Sequence, residues 1–457
     1  MGGKRITVYI VSHNYGKYLQ EAVESVLRQT VDSWELLLFD NGSTDNTSEV
    51  MALYRGDPRV KIFRTRKVSL PRAANMALKK AKGSYIVRLD ADDVMDENML
   101  LVLSNYLDRH QDIALVFPDY FLMNEYGEII SHERRKQIYH SNHLLDAPAN
   151  GACTMIRVGA LKKLGGYRED LGAQDGFDVW SRIIRAYKCN NINLPLFYYR
   201  RHGKNLTDNQ LMILSARRTI KKDASASLLK KCRPIVVTIP CRRNYDIFPD
   251  LWSQKIGNET LLDRAIKTTI ASGIPDKIVV TSDSPAVRDV MAKYRDKRLV
   301  YVERSAKSTI ISASIVFTLE HITRKLKLRP SGITAVLYTQ APFTPTATLE
   351  EAIYTLVMNE ADSAIAVEEV PTQLYKRTPH GLTCINSVGN MRSDFDTVYN
   401  QVRSSMAARN GNFRTGSLIG SKVAYFVVPR EEVFFIETKR DLSVARALAR
   451  EEKRENG

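Results

Sequence analysis

Residues 85–99 read YIVRLDADDVMDENM. The stretch opens as a buried strand does, with Tyr85, Ile86, Val87 and Leu89, and then sets Asp90, Asp92 and Asp93 within four positions. Carboxylates crowded at one strand end repel one another unless a cation sits among them. A divalent metal meets that need, because hard cations such as Mg²⁺ take oxygen ligands and commonly use one or two carboxylates plus substrate phosphates. An Asp-x-Asp triplet also serves as an ordinary helix cap, so its place in the fold has to decide.

The flanking sequence supplies that place. ITVYIV, WELLLFD, VKIFR and SYIVRLD read as strands, with helices over YLQEAVESVLRQ and RAANMALKKAK. Asp45 or Thr47 in NGSTDNT is the expected cap of a further helix. Strands alternating with helices argue for a parallel sheet covered on both faces. In such sheets ligands sit beyond the carboxyl ends of the strands. Those ends are Ser12-His13-Asn14, Asp40-Asn41 and Asp90-Ala91-Asp92, three polar termini converging on one edge.

The same grammar restarts near Arg233. RPIVVTIPCRR, DKIVVTSDS, TAVLYTQ and DSAIAVEEV read as strands, and TLLDRAIKTTIAS, SPAVRDVMAKY and TLEEAIYTLVMN as helices. A second set of buried strands means a second domain. The expected division is 1–205, a basic and helical linker over 206–232, and 233–457. No short-period repeat is visible.

The 457 residues are 44% hydrophobic and 26% charged, the balance of a globular protein of two or three domains. No uncharged apolar run reaches the roughly 18 residues of a spanning helix. The opening MGGKRITVYIVSHN lacks a signal-peptide core. The five cysteines are scattered without metal spacing, as expected of buried thiols in the cytoplasm. Net charge is +16, and residues 201–250 concentrate it, with 11 basic and 4 acidic side chains. A basic patch of this kind can meet phosphates of a nucleotide or an anionic lipid, which would make the protein membrane-peripheral; otherwise it is a solvated connector. No nucleic-acid-binding motif accompanies it.

Five stretches carry a family resemblance: TVYIVSHNYGKYLQEAVESVLRQT, LLFDNGSTDNT, RAANMALKKAKGSYIVRLDADD, AQDGFDVWSRI and YYRRHGKNLT. In order and spacing, residues 5 to about 205 resemble family 2 glycosyltransferases of the GT-A fold. The resemblance implies a nucleotide-sugar donor, a carbohydrate or glycoconjugate acceptor, Mg²⁺ or Mn²⁺, and inverting transfer. It implies that Ser12, Asn14 and Asp40 face the nucleotide, with Asn41 where the family usually has a second acid. Asp90 and Asp92 match the D-x-D, Asp92 as the metal ligand. Asp175 matches the general base, preceded by Gln174 where a glutamate is usual. Arg72, Arg201 and His202 match positions near the phosphates or acceptor.

Residues 233 to about 448 resemble, more loosely, the cytidylyltransferases that activate acidic sugars. VVTIPCRR, TLLDRAI, DKIVVTSDS, VLYTQAPFTPTATLEEAI, DSAIAVEEV and FFIETKRDL carry this likeness. Both domains are then α/β and Rossmann-like, an N-terminal GT-A domain and a C-terminal nucleotidyltransferase-like domain. Yet the triphosphate-gripping pattern is depleted. Arg242 holds its first cation; Tyr245-Asp246 and Leu251-Trp252 replace the rest, with Lys255 nearby. The late metal pair is reduced to Glu437. Arg403, Arg409 and Arg414 remain as candidate anion holders. A homodimer through this domain is a further expectation by resemblance.

The leading expectation is a metal-dependent glycosyltransferase with a degenerate second site. Two alternatives stand beside it: a bifunctional enzyme that also makes a CMP-activated acidic sugar, and a non-catalytic binder of nucleotide sugars or anionic polymers.

Overall fold

The computed structural model describes residues 6–134, 151–203, 210–244, 249–309, 313–370, 372–386, 391–393 and 398–455. The chain forms two compact units, residues 1–217 with 371–398 and residues 218–370 with 399–457.

The first unit runs β1 (Ile6–Ser12), α1 (Gly16–Leu27), β2 (Trp34–Asn41), α2 (Thr47–Ala52), β3 (Val60–Thr65), α3 (Leu70–Lys80), β4 (Tyr85–Asp90) and β5 (Val94–Met95). It continues with α4 (Met99–Arg109), β6 (Ile113–Met123), β7 (Ile129–Arg134), β8 (Met155–Arg157), α5 (Val158–Lys163), α6 (Asp175–Ala186), β9 (Lys188–Arg200) and α7 (Gln210–Leu229), which crosses the unit boundary. Strands β3, β2, β1 and β4 lie side by side and parallel. Next comes β8, antiparallel to both β4 and β6, and β9 runs parallel to β6.

Continuous apolar strands demand cover on both faces. Ile6, Val8, Ile10, Leu36, Leu38, Val87 and Leu89 share one core with Leu19, Ala22, Val23 and Val26 of α1 and Leu100, Leu103 and Leu107 of α4. The α1 set recurs every three or four residues, which makes one apolar helix face. Each valine, leucine or isoleucine of this set contributes about 1.5–3 kcal/mol by leaving water. Strand alternation turns Tyr9, Arg88 and Asp90 toward the opposite face.

In the second unit the strands of the seven-stranded sheet, in chain order, are Ile235–Pro240, Lys277–Ser282, Leu299–Glu303, Ile333–Leu337, Ser363–Glu369, Tyr399–Arg409 and Val423–Val427. Counted one to seven, they stand in the order 3-2-1-4-6-5-7, and only the sixth is antiparallel to its neighbours. Counting β1, β2, β3, β4, β6, β8 and β9 the same way gives the same order, again with the sixth reversed. The two units therefore share one chain path, the counterpart of the strand–helix grammar that restarts near Arg233.

The expected linker is, over its described part, the whole of α7 followed by a 3₁₀ turn at Lys230–Cys232; residues 206–209 lie outside the described residues. Arg218 and Lys221 of α7 pair with buried Glu351, at 2.6 and 2.8 Å, and Arg218 also reaches Glu432. Part of the basic excess is thus neutralised inside the second unit. Residues 371–398, which the sequence pattern put in the second domain, belong to the first unit, where Met391–Ser393 adds a parallel strand beside β7. An edge strand with unpaired backbone groups recruits such a partner. Among the described residues, no helix is long and apolar enough to cross a membrane.

Candidate active site

The three polar strand ends are neighbours in the sheet. Ser12 pairs in register with Asp40, and Val11 with Asp90. Beyond β4 the chain turns through Asp92 and Asp93, and Arg200, at the end of β9, staples that turn. Its amide donates to Asp93 Oδ1 at 3.0 Å, its Nε to the Asp92 carbonyl at 2.9 Å, and its Nη2 pairs with Glu21 at 2.5 Å. Two residues on, His202 Nε2 lies 2.9 Å from Asp92 Oδ2. The His202 ring stacks on Tyr18 at 5.3 Å and meets Tyr15 edge-on.

Asp175 opens α6. It follows Gln174 in the left-handed conformation, φ 63°, whose Oε1 accepts from Arg217 Nε at 2.9 Å. Arg88 joins Asp175 to the Asp-x-Asp turn. Its Nη1 donates to Asp175 Oδ2 at 2.6 Å, and its Nε lies 2.9 Å from Asp90 Oδ1. The guanidinium is buried, and a buried cation stays charged only against such partners.

The electrostatics are those of a site short of positive charge. Burial, with Asp92 and Asp175 adding to it against the pull of Arg88, pushes the Asp90 carboxyl up to about 6. Burial, then Asp92 and Asp90, raises Asp93 well above the carboxylate range; its Oδ2 is buried without a hydrogen-bond partner. Burial, then Asp92, Asp90 and Asp93, pushes the Tyr15 phenol up to about 12.

The nucleotide-side candidates are placed differently from one another. Ser12 is fully buried and its hydroxyl faces Thr47 at 3.4 Å, inside the fold. Asn14, with φ 62°, accepts from the Thr44 amide at 2.7 Å and shapes the loop. Burial alone would raise Asp40, but hydrogen bonds from Ser48 and Ser43 and the charge of Arg64 hold it below the ordinary value. Asp45, an expected cap, accepts from the amides of Thr47 and Gly16 at 3.0 and 2.8 Å. Arg72 and Arg201 are exposed, Arg72 on the first turn of α3.

At the corresponding edge of the second unit, Arg242 donates to the Ala313 carbonyl at 2.7 Å, and Glu437 pairs with Arg403 at 2.7 Å. Lys255 is exposed. Tyr245 and Asp246 lie outside the described residues. Arg409 donates to the Ser331 carbonyl at 2.9 Å, and Arg414 to that of Leu328 at 3.4 Å.

Sequence reasoning passed over Arg88 and Arg200. Arg88 had a signal: one arginine inside the apolar run YIVRL, where a charge must find partners once the strand is buried.

A family model, glycosyl transferase family 2, matches residues 7–165. An uncharacterized glycosyltransferase of Methanocaldococcus jannaschii is 30% identical over 208 residues, 43% of this chain and 70% of that one. The hyaluronan synthase of Pasteurella multocida is 28% identical over 254 residues, 54% of this chain and 24% of the synthase, so the chain spans about a quarter of that relative. Among solved structures, residues 1–349 of Staphylococcus aureus TarS with UDP-GlcNAc match at a TM-score of 0.40 and 16% identity, over 48% of this chain and 66% of that one. By its matched residues and the relative it covers, the chain belongs to glycosyltransferase family 2.

Proposed function

We propose that the protein transfers a sugar, with inversion, from a nucleoside-diphosphate donor to an acceptor hydroxyl. The observation that carries this reading is the pair of contacts at the carboxyl edge of the first parallel sheet: Arg88 bridges Asp90 to Asp175, and His202 pairs with Asp92. Relatives that include a hyaluronan synthase support polysaccharide or glycoconjugate assembly as the setting.

Asp92 and His202, with the third-exposed Asp90 carboxylate two residues before Asp92, are the candidate donors, of the kind that suits Mg²⁺ or Mn²⁺. Among the described residues no group of three such ligands is preassembled, and cations of this class complete their shells with substrate phosphates and water. Bound there, the cation would stabilise negative charge on the departing diphosphate.

Asp175 takes the proton of the acceptor hydroxyl as its oxygen attacks the anomeric carbon. The new carbon–oxygen bond forms on the face opposite the breaking bond to phosphate, and the nucleoside diphosphate leaves with that electron pair. Asp40 and the Asn14 loop hold the nucleoside end. Holding both reactants in place supplies much of the remaining rate. The five cysteines stand as thiols, which suits the cytoplasm.

For the second unit the shared strand order supports a nucleotidyltransferase-like fold. CTP turnover would make the protein bifunctional. Exposed Lys222, Lys230 and Lys231 are what remains to support an anionic lipid partner. Pairing of this unit with a second copy rests on the family resemblance.

The deciding experiment is a thermal-shift panel of UDP, GDP, CDP and CTP with and without Mn²⁺. One diphosphate is expected to stabilise the protein only with metal, and not in Asp92→Ala; a ligand at about 100 times its Kd adds roughly 2.7 kcal/mol to the state it binds. A protein that no diphosphate shifts would overturn the reading.

A further inference from the structure

We propose that Arg88 is a positioning residue that fixes the Asp175 carboxylate in register with the donor-side carboxylate Asp90. The inference rests on the reading of Asp175 as the general base and goes beyond it. The guanidinium spans both acids, with Nη1 2.6 Å from Asp175 Oδ2 and Nε 2.9 Å from Asp90 Oδ1. A planar fork can hold two carboxylates at a set separation; a lysine ammonium, a point charge on a flexible stem, cannot.

The surroundings are built for this fork. Arg88 is buried, and its own carbonyl accepts from the Cys153 amide at 2.7 Å, which pins the strand behind it. Its cross-strand neighbour is Tyr9, whose hydroxyl donates to that of Tyr167 at 3.2 Å; both phenols are buried. Gly151 makes room on the other side: a Cβ there would stand 2.4 Å from Arg88 Nη2. With Nη1 hydrogen-bonded to Asp175 and Nε in ion-pair contact with Asp90, the arginine has little freedom to yield.

The consequence is a division of labour at the acceptor side. Arg217 fixes the turn at Gln174, and Arg88 fixes the carboxylate that follows it. Loss of Arg88 therefore frees the Asp175 carboxylate and also takes from Asp90 its ion-pair partner.

The test uses the full chain carrying Arg88→Lys, Arg88→Met or Gly151→Ala, with folding checked by thermal unfolding. Two quantities are measured: the Kd of UDP or GDP with Mn²⁺, and the rate of nucleoside-diphosphate release from UDP-GlcNAc or GDP-mannose. The expected result is a fall of about tenfold or more in kcat that exceeds any weakening of Kd, the scale of a misplaced base. A kcat within about twofold of wild type, or a Kd that weakens as much as kcat falls, overturns the inference. If Arg88→Met does not fold, Gly151→Ala decides, because it leaves the arginine in place and crowds only its fork. A wild-type protein that neither binds the diphosphate nor releases it overturns the underlying reading as well, which separates the two failures.

Discussion

His202 Nε2 sits 2.9 Å from Asp92 Oδ2, and the imidazole is clamped between Tyr18, on which it stacks, and the edge of Tyr15. The two residues are 110 positions apart, and the turn after β9 delivers the histidine to the turn after β4. A His–carboxylate pair of this kind either binds a cation jointly or holds one ligand for it. His202→Ala should weaken Mn²⁺-dependent diphosphate binding by about 10–100-fold, the scale seen when groups that support metal ligands are removed. Titration calorimetry with UDP or GDP measures it; unchanged affinity would remove His202 from the cation site.

Asp175→Asn keeps the shape of the side chain and its place beside Arg88 but removes its basicity. Turnover should fall by about 10²–10⁴-fold while diphosphate binding holds. Steady-state rates with an equilibrium Kd decide the matter. Wild-type turnover in this variant excludes Asp175 as the base.

Glu351 is almost fully buried and faces both Arg218 and Lys221. Its removal leaves two cations without their shared anion. Glu351→Ala should destabilise the second unit by about 3–5 kcal/mol, the usual result of breaking a buried pair from one side. A denaturant midpoint within error of wild type would show that these cations are solvated instead.

Glu35, buried in β2, accepts from the Lys82 amide at 2.7 Å, Thr7 at 2.9 Å and Lys61 at 3.1 Å. Burial alone would raise its pKa, but these bonds hold it below the ordinary 4.5. A depressed carboxyl contributes stability that is present above 4.5 and is lost as pH falls through the folded value. Acid unfolding of the first unit should therefore begin below that pH, and Glu35→Gln should flatten this limb while lowering stability at neutral pH. Parallel acid limbs in the two proteins would contradict it.

Much of the site was legible in the chain. The strands ending in Ser12, Asp40 and Asp90 announce themselves by continuous apolar runs that break into polar residues. Parallel pairing then makes those ends neighbours, as the registers Ser12–Asp40 and Val11–Asp90 confirm. Ser12 shows the limit of that reading, because its hydroxyl turns inward to Thr47. Which face a strand-end side chain takes is set by packing on both sides of the sheet.

The sequence by itself determined two α/β units and the carboxylates of the candidate first site, because apolar periodicity and strand-end chemistry are local properties. Only the tertiary structure decided what holds those carboxylates. Arg88 bridges Asp90 to Asp175, 85 positions beyond it, and Arg200 and His202 return from β9 to the Asp-x-Asp turn. It also showed the two units following the same strand order. The reason is physical: burial leaves each charge to find its partner in space, and many different apolar sequences satisfy one chain path.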